Sequence, residues 1–103
     1  MILYNVTVNI DYDAHDEWLD WMKNVHIPDV MATGMFLENK ISKVLGDEDS
    51  GGITYAIQYL TQDMDTYERY QQEHAPRLQQ EHSARYEGRF AAFRTLLEVV
   101  HSQ

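Results

Sequence analysis

His26-Ile27-Pro28 returns as His74-Ala75-Pro76, 48 residues further on, and these hold the only two prolines of the chain. Each copy closes a run that alternates like a strand and then spaces its apolar residues like a helix. Two such runs describe a chain made of two β-α-β halves.

Working outward from the first copy, Ile2, Tyr4, Val6, Val8 and Ile10 alternate with Leu3, Asn5, Thr7 and Asn9. Period two over nine residues predicts a strand. Asp11-Tyr12-Asp13 closes it, with Asp13 the expected N-cap of the helix that follows. Trp18, Trp21, Met22 and Val25 then fall on one helical face. Pro28 lacks an N–H and pushes Ile27 out of the α region, so the helix is expected to stop or kink near His26. A short second turn from Pro28 would end at Gly34.

A weaker strand is expected over residues 35–45. The polar loop Gly46-Asp47-Glu48-Asp49-Ser50-Gly51-Gly52 reads as a hairpin, its ligand spacing wrong for calcium. Ile53, Tyr55, Ile57 and Tyr59 alternate again. Residues 63–87 are rich in helix formers, with Pro76 expected to split the helix and Gly88 to end it. The last strand runs from Arg89 to Val100.

The order is β-α-β-β-α-β. It predicts one α+β domain over residues 1–103, a ferredoxin-like sandwich with a four-stranded antiparallel sheet and helices on one face. The Tyr4/Val6/Val8 and Tyr55/Ile57/Tyr59 rows are expected to face the helices. Leu3, Asn5, Thr7, Asn9, Thr54, Ala56 and Gln58, with Arg94 or its neighbours, would line the other side. A second copy closing over that mixed face would give a homodimer.

Composition narrows the partners. Asp and Glu outnumber Lys and Arg by 17 to 8. A net charge of −9 repels phosphate backbones and anionic lipid, so neither nucleic acid nor membrane is expected as a partner. Cysteine is absent, which excludes disulfides, thiolate metal sites and cysteine nucleophiles. The first apolar stretch meets Asp11, too soon for a signal peptide or a membrane span, and a cytoplasmic location is the expectation.

Six residues stand out as candidates for chemistry. His26 sits where a helix should end, and there the macrodipole favours the charged imidazolium. It could cap that helix or transfer a proton. Arg94 lies in an apolar strand and must be paired if buried, with Glu98 on the same face or with a partner's carboxylate. It could instead stabilise an anion. Trp21, Tyr4 and Tyr55 would wall a small, partly apolar ligand, and His74 could contact it. His74 and His82 stand roughly 12 Å apart along one helix, too far to share an ion, so no metal is expected. Arg69/Glu73 and Glu81/Arg85 are spaced as surface ion pairs.

The element order, the length and the segment Trp18-x-x-Trp21-Met22-x-x-x-His26-Ile27-Pro28-Asp29 resemble the dimeric α/β-barrel superfamily. More narrowly, Gly88-Arg89-Phe90-x-Ala92-Phe93-Arg94-Thr95-Leu96-Leu97-Glu98-Val99, after His74-Ala75-Pro76, is similar to a small bacterial family, domain of unknown function 4286. The broad resemblance implies a homodimeric α/β barrel. Its members include cofactor-free monooxygenases, small-ring isomerases, sugar mutarotases, heme-handling enzymes and proteins without a known ligand. For this chain it implies no cofactor and, if catalytic, proton-transfer or oxygenation chemistry. The alternatives are a non-catalytic dimeric interaction module and a heme-handling protein with His26 or His74 as axial ligand.

Overall fold

A computed structural model describes residues 1–46 and 50–103. The acidic run Asp47-Glu48-Asp49, read above as part of a hairpin, lies outside the described residues. Four strands, β1 (Ile2–Asp11), β2 (Glu38–Lys43), β3 (Gly52–Thr61) and β4 (Phe90–Glu98), form one antiparallel sheet in the order β2-β3-β1-β4. This is the ferredoxin-like arrangement the alternation predicts.

Register explains which residues meet. Tyr4 lies opposite Tyr59, Val6 opposite Ile57 and Val8 opposite Tyr55. On the other flank of β1, Ile10 lies opposite Phe90, Val8 opposite Ala92 and Val6 opposite Arg94. Directly opposed residues share a face. Tyr4, Val8, Ile10, Tyr55, Ile57 and Tyr59 are all buried, and they join Trp18, Met22, Val30, Leu78 and Tyr86 from the helices in one core. Helical side chains therefore cover this face.

The same register decides between Arg94 and its neighbours for the uncovered face. Arg94 pairs with Val6 and so stands on the helix-covered side, while Phe93, opposite Thr7, and Leu97, opposite Leu3, take the uncovered side.

The helices follow from local chemistry. A 3-10 turn (Tyr12–Ala14) leads into α1 (His15–Trp21), whose N-cap is Ala14 without a side-chain cap bond. Asp13 is thus not the cap; it approaches Arg89 at 3.8 Å. Nor does the helix stop at His26. It widens into a π turn over Met22–His26, with the Ile27 N–H donating to the Met22 carbonyl, and continues as α2 (Ile27–Met31). Pro28 has no N–H for the Asn24 carbonyl, and its ring would crowd that oxygen in a regular helix. The wider turn is a physical answer to both problems.

In the second half, Asp63 caps α3 (Met64–Glu73) by accepting from the Thr66 N–H at 2.8 Å. The chain breaks at His74, and α4 (Ala75–Tyr86) starts with Pro76 in its first turn, where a missing N–H costs nothing. Gly88, at φ +76°, turns the chain into β4.

Candidate functional site

Between the helices and strands β1, β3 and β4 lies a small cleft of about 50 Å³ that opens to solvent. That is room for roughly three to five waters. Val8, Leu78, Phe90 and Ala92 are among its apolar walls, and Tyr4, His26, His82 and Arg94 bring polar groups to it.

His82 is the best determined of these. It is 8 % exposed, and its Nε2 accepts a hydrogen bond from the Trp18 indole N–H at 2.9 Å. An indole N–H can only donate, so Nε2 must be unprotonated and the proton must sit on Nδ1. Trp18 is itself 0 % exposed, which fixes the donor. Burial, with lesser repulsion from His26 and Arg94, lowers the His82 pKa to about 4. At neutral pH this imidazole is uncharged and offers an Nδ1–H that finds no acceptor among the described residues.

His26 stands edge-on to His82, with ring centroids 5.8 Å apart, and stacks on Trp21 at 5.1 Å. Its Nδ1 is buried and has no hydrogen-bond partner among the described residues. Leaving such a group unpaired costs about 1–3 kcal/mol. The sequence pattern puts His26 at a helix end, where the dipole would raise its pKa. Because the helix runs on, that effect is absent. Burial instead lowers the pKa, against opposing pulls from Asp29 and Glu81. Nor does His26 cap a helix through its side chain.

Arg94 donates from Nε to the Tyr4 hydroxyl at 3.1 Å. The pairing expected with Glu98 is not formed. Both residues lie on one strand face, but Tyr4 sits two positions nearer along β1 than the residue opposite Glu98, and its hydroxyl intercepts the guanidinium. Tyr4 is in turn packed among Phe36, Tyr59, Tyr67 and Tyr70, with ring centroids 5.2–6.1 Å away. Burial raises the pKa of Tyr59 and Tyr70, so both phenols stay protonated.

Of the six residues singled out in the sequence, His26, Arg94 and Tyr4 come together here. Trp21 stands behind His26, beneath the Arg85 guanidinium, rather than on the cleft wall. Tyr55 lies outside the cleft, its hydroxyl 2.7 Å from the His15 Nε2. His74 stays at the α3–α4 break, near Tyr70. The residue that sequence reasoning misses is His82, which the pattern presents only as a metal partner for His74. The available signal is its helical spacing from Leu78 and Tyr86, which puts it on the buried stripe. Arg85 also departs from expectation: it pairs across helices with Glu17 at 2.6 Å, leaving Glu81 to Arg77.

Residues 1–100 match the family described as Domain of unknown function (DUF4286). The chain belongs to that family. No curated protein matches it. Among solved structures, the family's fold is shared by a dimeric ferredoxin-like protein from an uncultured marine organism (TM-score 0.71, 14 % identity, covering 100 % of this chain and 98 % of that one). HapK from Hahella chejuensis is similar (TM-score 0.72, 10 % identity, 100 % and 96 % covered). So is a monooxygenase from Streptomyces coelicolor in complex with the ligand nanaomycin D (TM-score 0.59, 12 % identity, 99 % and 91 % covered). At these identities the likeness is one of fold. Among the described residues, no helix of this family member is long and apolar enough to cross a membrane.

Proposed function

We propose that the protein is a homodimer that binds a small, partly apolar molecule in the cleft between sheet and helices. The observation that carries the ligand is the unpartnered polar pair inside an apolar wall: the His26 Nδ1, buried without a partner among the described residues, beside a His82 held in one tautomer. Buried polar groups are nearly always satisfied, and an orphan at a cleft is where a ligand or ordered water does the satisfying. A neutral imidazole at His26 can also accept a proton. If the ligand is turned over, His26 is the proton-transfer group, Arg94 the anion stabiliser and no cofactor is required. The neighbour in complex with nanaomycin D supports a small organic ligand on this fold but says nothing of its identity here.

The test is ligand-observed NMR with small aromatic and branched aliphatic fragments. Ala92 lines the cleft, and Ala92→Phe fills it. Fragments should bind the parent protein and lose binding in Ala92→Phe. Equal binding by both proteins would remove the cleft from the reading. Should a turned-over ligand emerge, unchanged turnover in His26→Asn would remove His26 from the chemistry.

The dimer rests on the uncovered sheet face. Phe93 is 62 % exposed and Leu97 44 % exposed there, beside Leu3, Leu60 and Ala56. Large apolar side chains clustered on one open face are a mark of an interface. The dimeric description of a solved neighbour agrees. Sedimentation velocity at micromolar concentration should show a dimer, and Phe93→Asp should shift it to monomer with the far-UV circular dichroism unchanged. A monomeric parent protein would overturn the assembly.

A further inference from the structure

The chain carries 17 carboxylates against 8 basic side chains, so an arginine without a carboxylate partner is unusual here. Arg69, Arg77, Arg85 and Arg89 each approach one, at 3.3, 3.4, 2.6 and 3.8 Å. Among the described residues Arg94 is the one arginine that does not, and its hydrogen bond goes to the neutral Tyr4 hydroxyl. The cleft wall shows the same bias. No Asp or Glu is among the described residues that line it. Its polar groups include three donors, the Arg94 guanidinium, the Tyr4 O–H and, through the Trp18 contact, the Nδ1–H of His82, beside the uncharged Gln79 and Ser83.

Arg94 lines the cleft and is itself exposed, with no carboxylate beside it, so its guanidinium is open to an anionic oxygen entering the cleft. The walls beside it are apolar, with Val8, Leu78 and Phe90. Arg binds carboxylates through paired N–H groups, and the Arg94 Nε–H is the one its bond to Tyr4 uses. We propose that the cleft takes a small organic monoanion, a carboxylate or enolate on an apolar body, with its charge against Arg94 and its body against Leu78 and Phe90. This inference rests on the ligand-binding reading above and narrows it to one class of ligand.

Benzoate and its uncharged isostere benzamide separate the two. The Trp18 indole N–H reports on the site, because it donates to the same imidazole that faces the cleft. In ¹⁵N-correlated spectra, benzoate should move that resonance saturably. Benzamide should bind at least tenfold more weakly. Arg94→Gln should weaken benzoate at least tenfold and leave benzamide unchanged, while Arg94→Lys should keep part of the preference. Benzamide binding as well as benzoate, or Arg94→Gln binding benzoate unchanged, would overturn the anion. If that binding is still lost in Ala92→Phe, the ligand cleft itself survives. Failure of both probes to bind the parent protein would remove the anion and count against the cleft together.

Discussion

Trp18→Ala should unfold a large part of the population at 37 °C. Trp18 is wholly enclosed, packed against Tyr55 with ring centroids 5.3 Å apart and bonded to His82. Truncating a buried Trp to Ala costs about 3–5 kcal/mol through lost transfer energy and the cavity left behind. Removing the indole N–H also strips the donor from a buried acceptor, with a further cost of about 1–3 kcal/mol unless water enters. A domain of this size holds roughly 5–15 kcal/mol in all. At about 4–8 °C per kcal/mol, the melting temperature should fall by about 20 °C or more. Trp21→Ala is the control. Trp21 is only partly buried, its face is shared with the Arg85 guanidinium at 5.3 Å, and its indole N–H makes no hydrogen bond among the described residues. Its loss should be about half as large or less. Thermal unfolding followed by circular dichroism measures both, and equal losses would show that Trp18 has no special place in the core.

That contrast between two tryptophans three residues apart shows what a sequence reveals and what it hides. Alternation in β1 and β3 is a local property of the chain, and it places both strands and their shared face, with the sheet order following from topology. The interruption at Pro28 is legible too, but its outcome is not. A missing N–H can end a helix, kink it or widen a turn, and only packing decides. Here Met22, Ile27 and Val30 are all buried. Continuing through a π turn keeps all three in the core, whereas stopping at His26 would release the last two.

The site is less legible because its parts meet over long separations. Arg94 and Tyr4 are 90 residues apart, and Trp18 and His82 are 64 apart. Period two in β4 allows Arg94 on either face. The choice is made by the β1–β4 register, which is set jointly by Ile10 against Phe90 and Val8 against Ala92. Sequence pairing rules favour Glu98 because they count charge and spacing. They do not see an aromatic hydroxyl arriving from the adjacent strand. His26 is found because its proline neighbour draws attention. His82 carries no such marker, and its importance comes from a hydrogen bond to a residue in the other half of the chain.

Stability should fall as the pH drops from 7 to 4.5, and His82 should be the main cause. Its folded-state pKa is lowered to about 4 from the ordinary 6.5 of a histidine. Phe90, Tyr86 and Trp18 surround the ring, and the charge facing it is positive, from Arg94. Protonation would also put a second proton beside the indole N–H, where only a lone pair fits. In the unfolded chain the imidazole takes its proton near pH 6.5, and in the folded chain it resists until about 4. The unfolded state therefore binds more protons throughout that window, and folding loses free energy as pH falls through it. The full contribution is present above the unfolded value. At about 1.4 kcal/mol for each pH unit crossed, the loss by pH 4.5 is about 2–3 kcal/mol. His26 is lowered for the same reason, burial, and adds in the same direction. The carboxylates act elsewhere on the scale. Glu17 is lowered from 4.5 by its bond to Arg85 and Asp63 from 3.8 by Thr66, so their contributions are lost only at still lower pH. Urea midpoints across this pH range should show the slope, and His82→Gln should flatten most of it although the variant starts less stable. A His82→Gln slope as steep as the parent's would place the titrating group elsewhere and undo the fixed tautomer on which the donor set of the cleft depends.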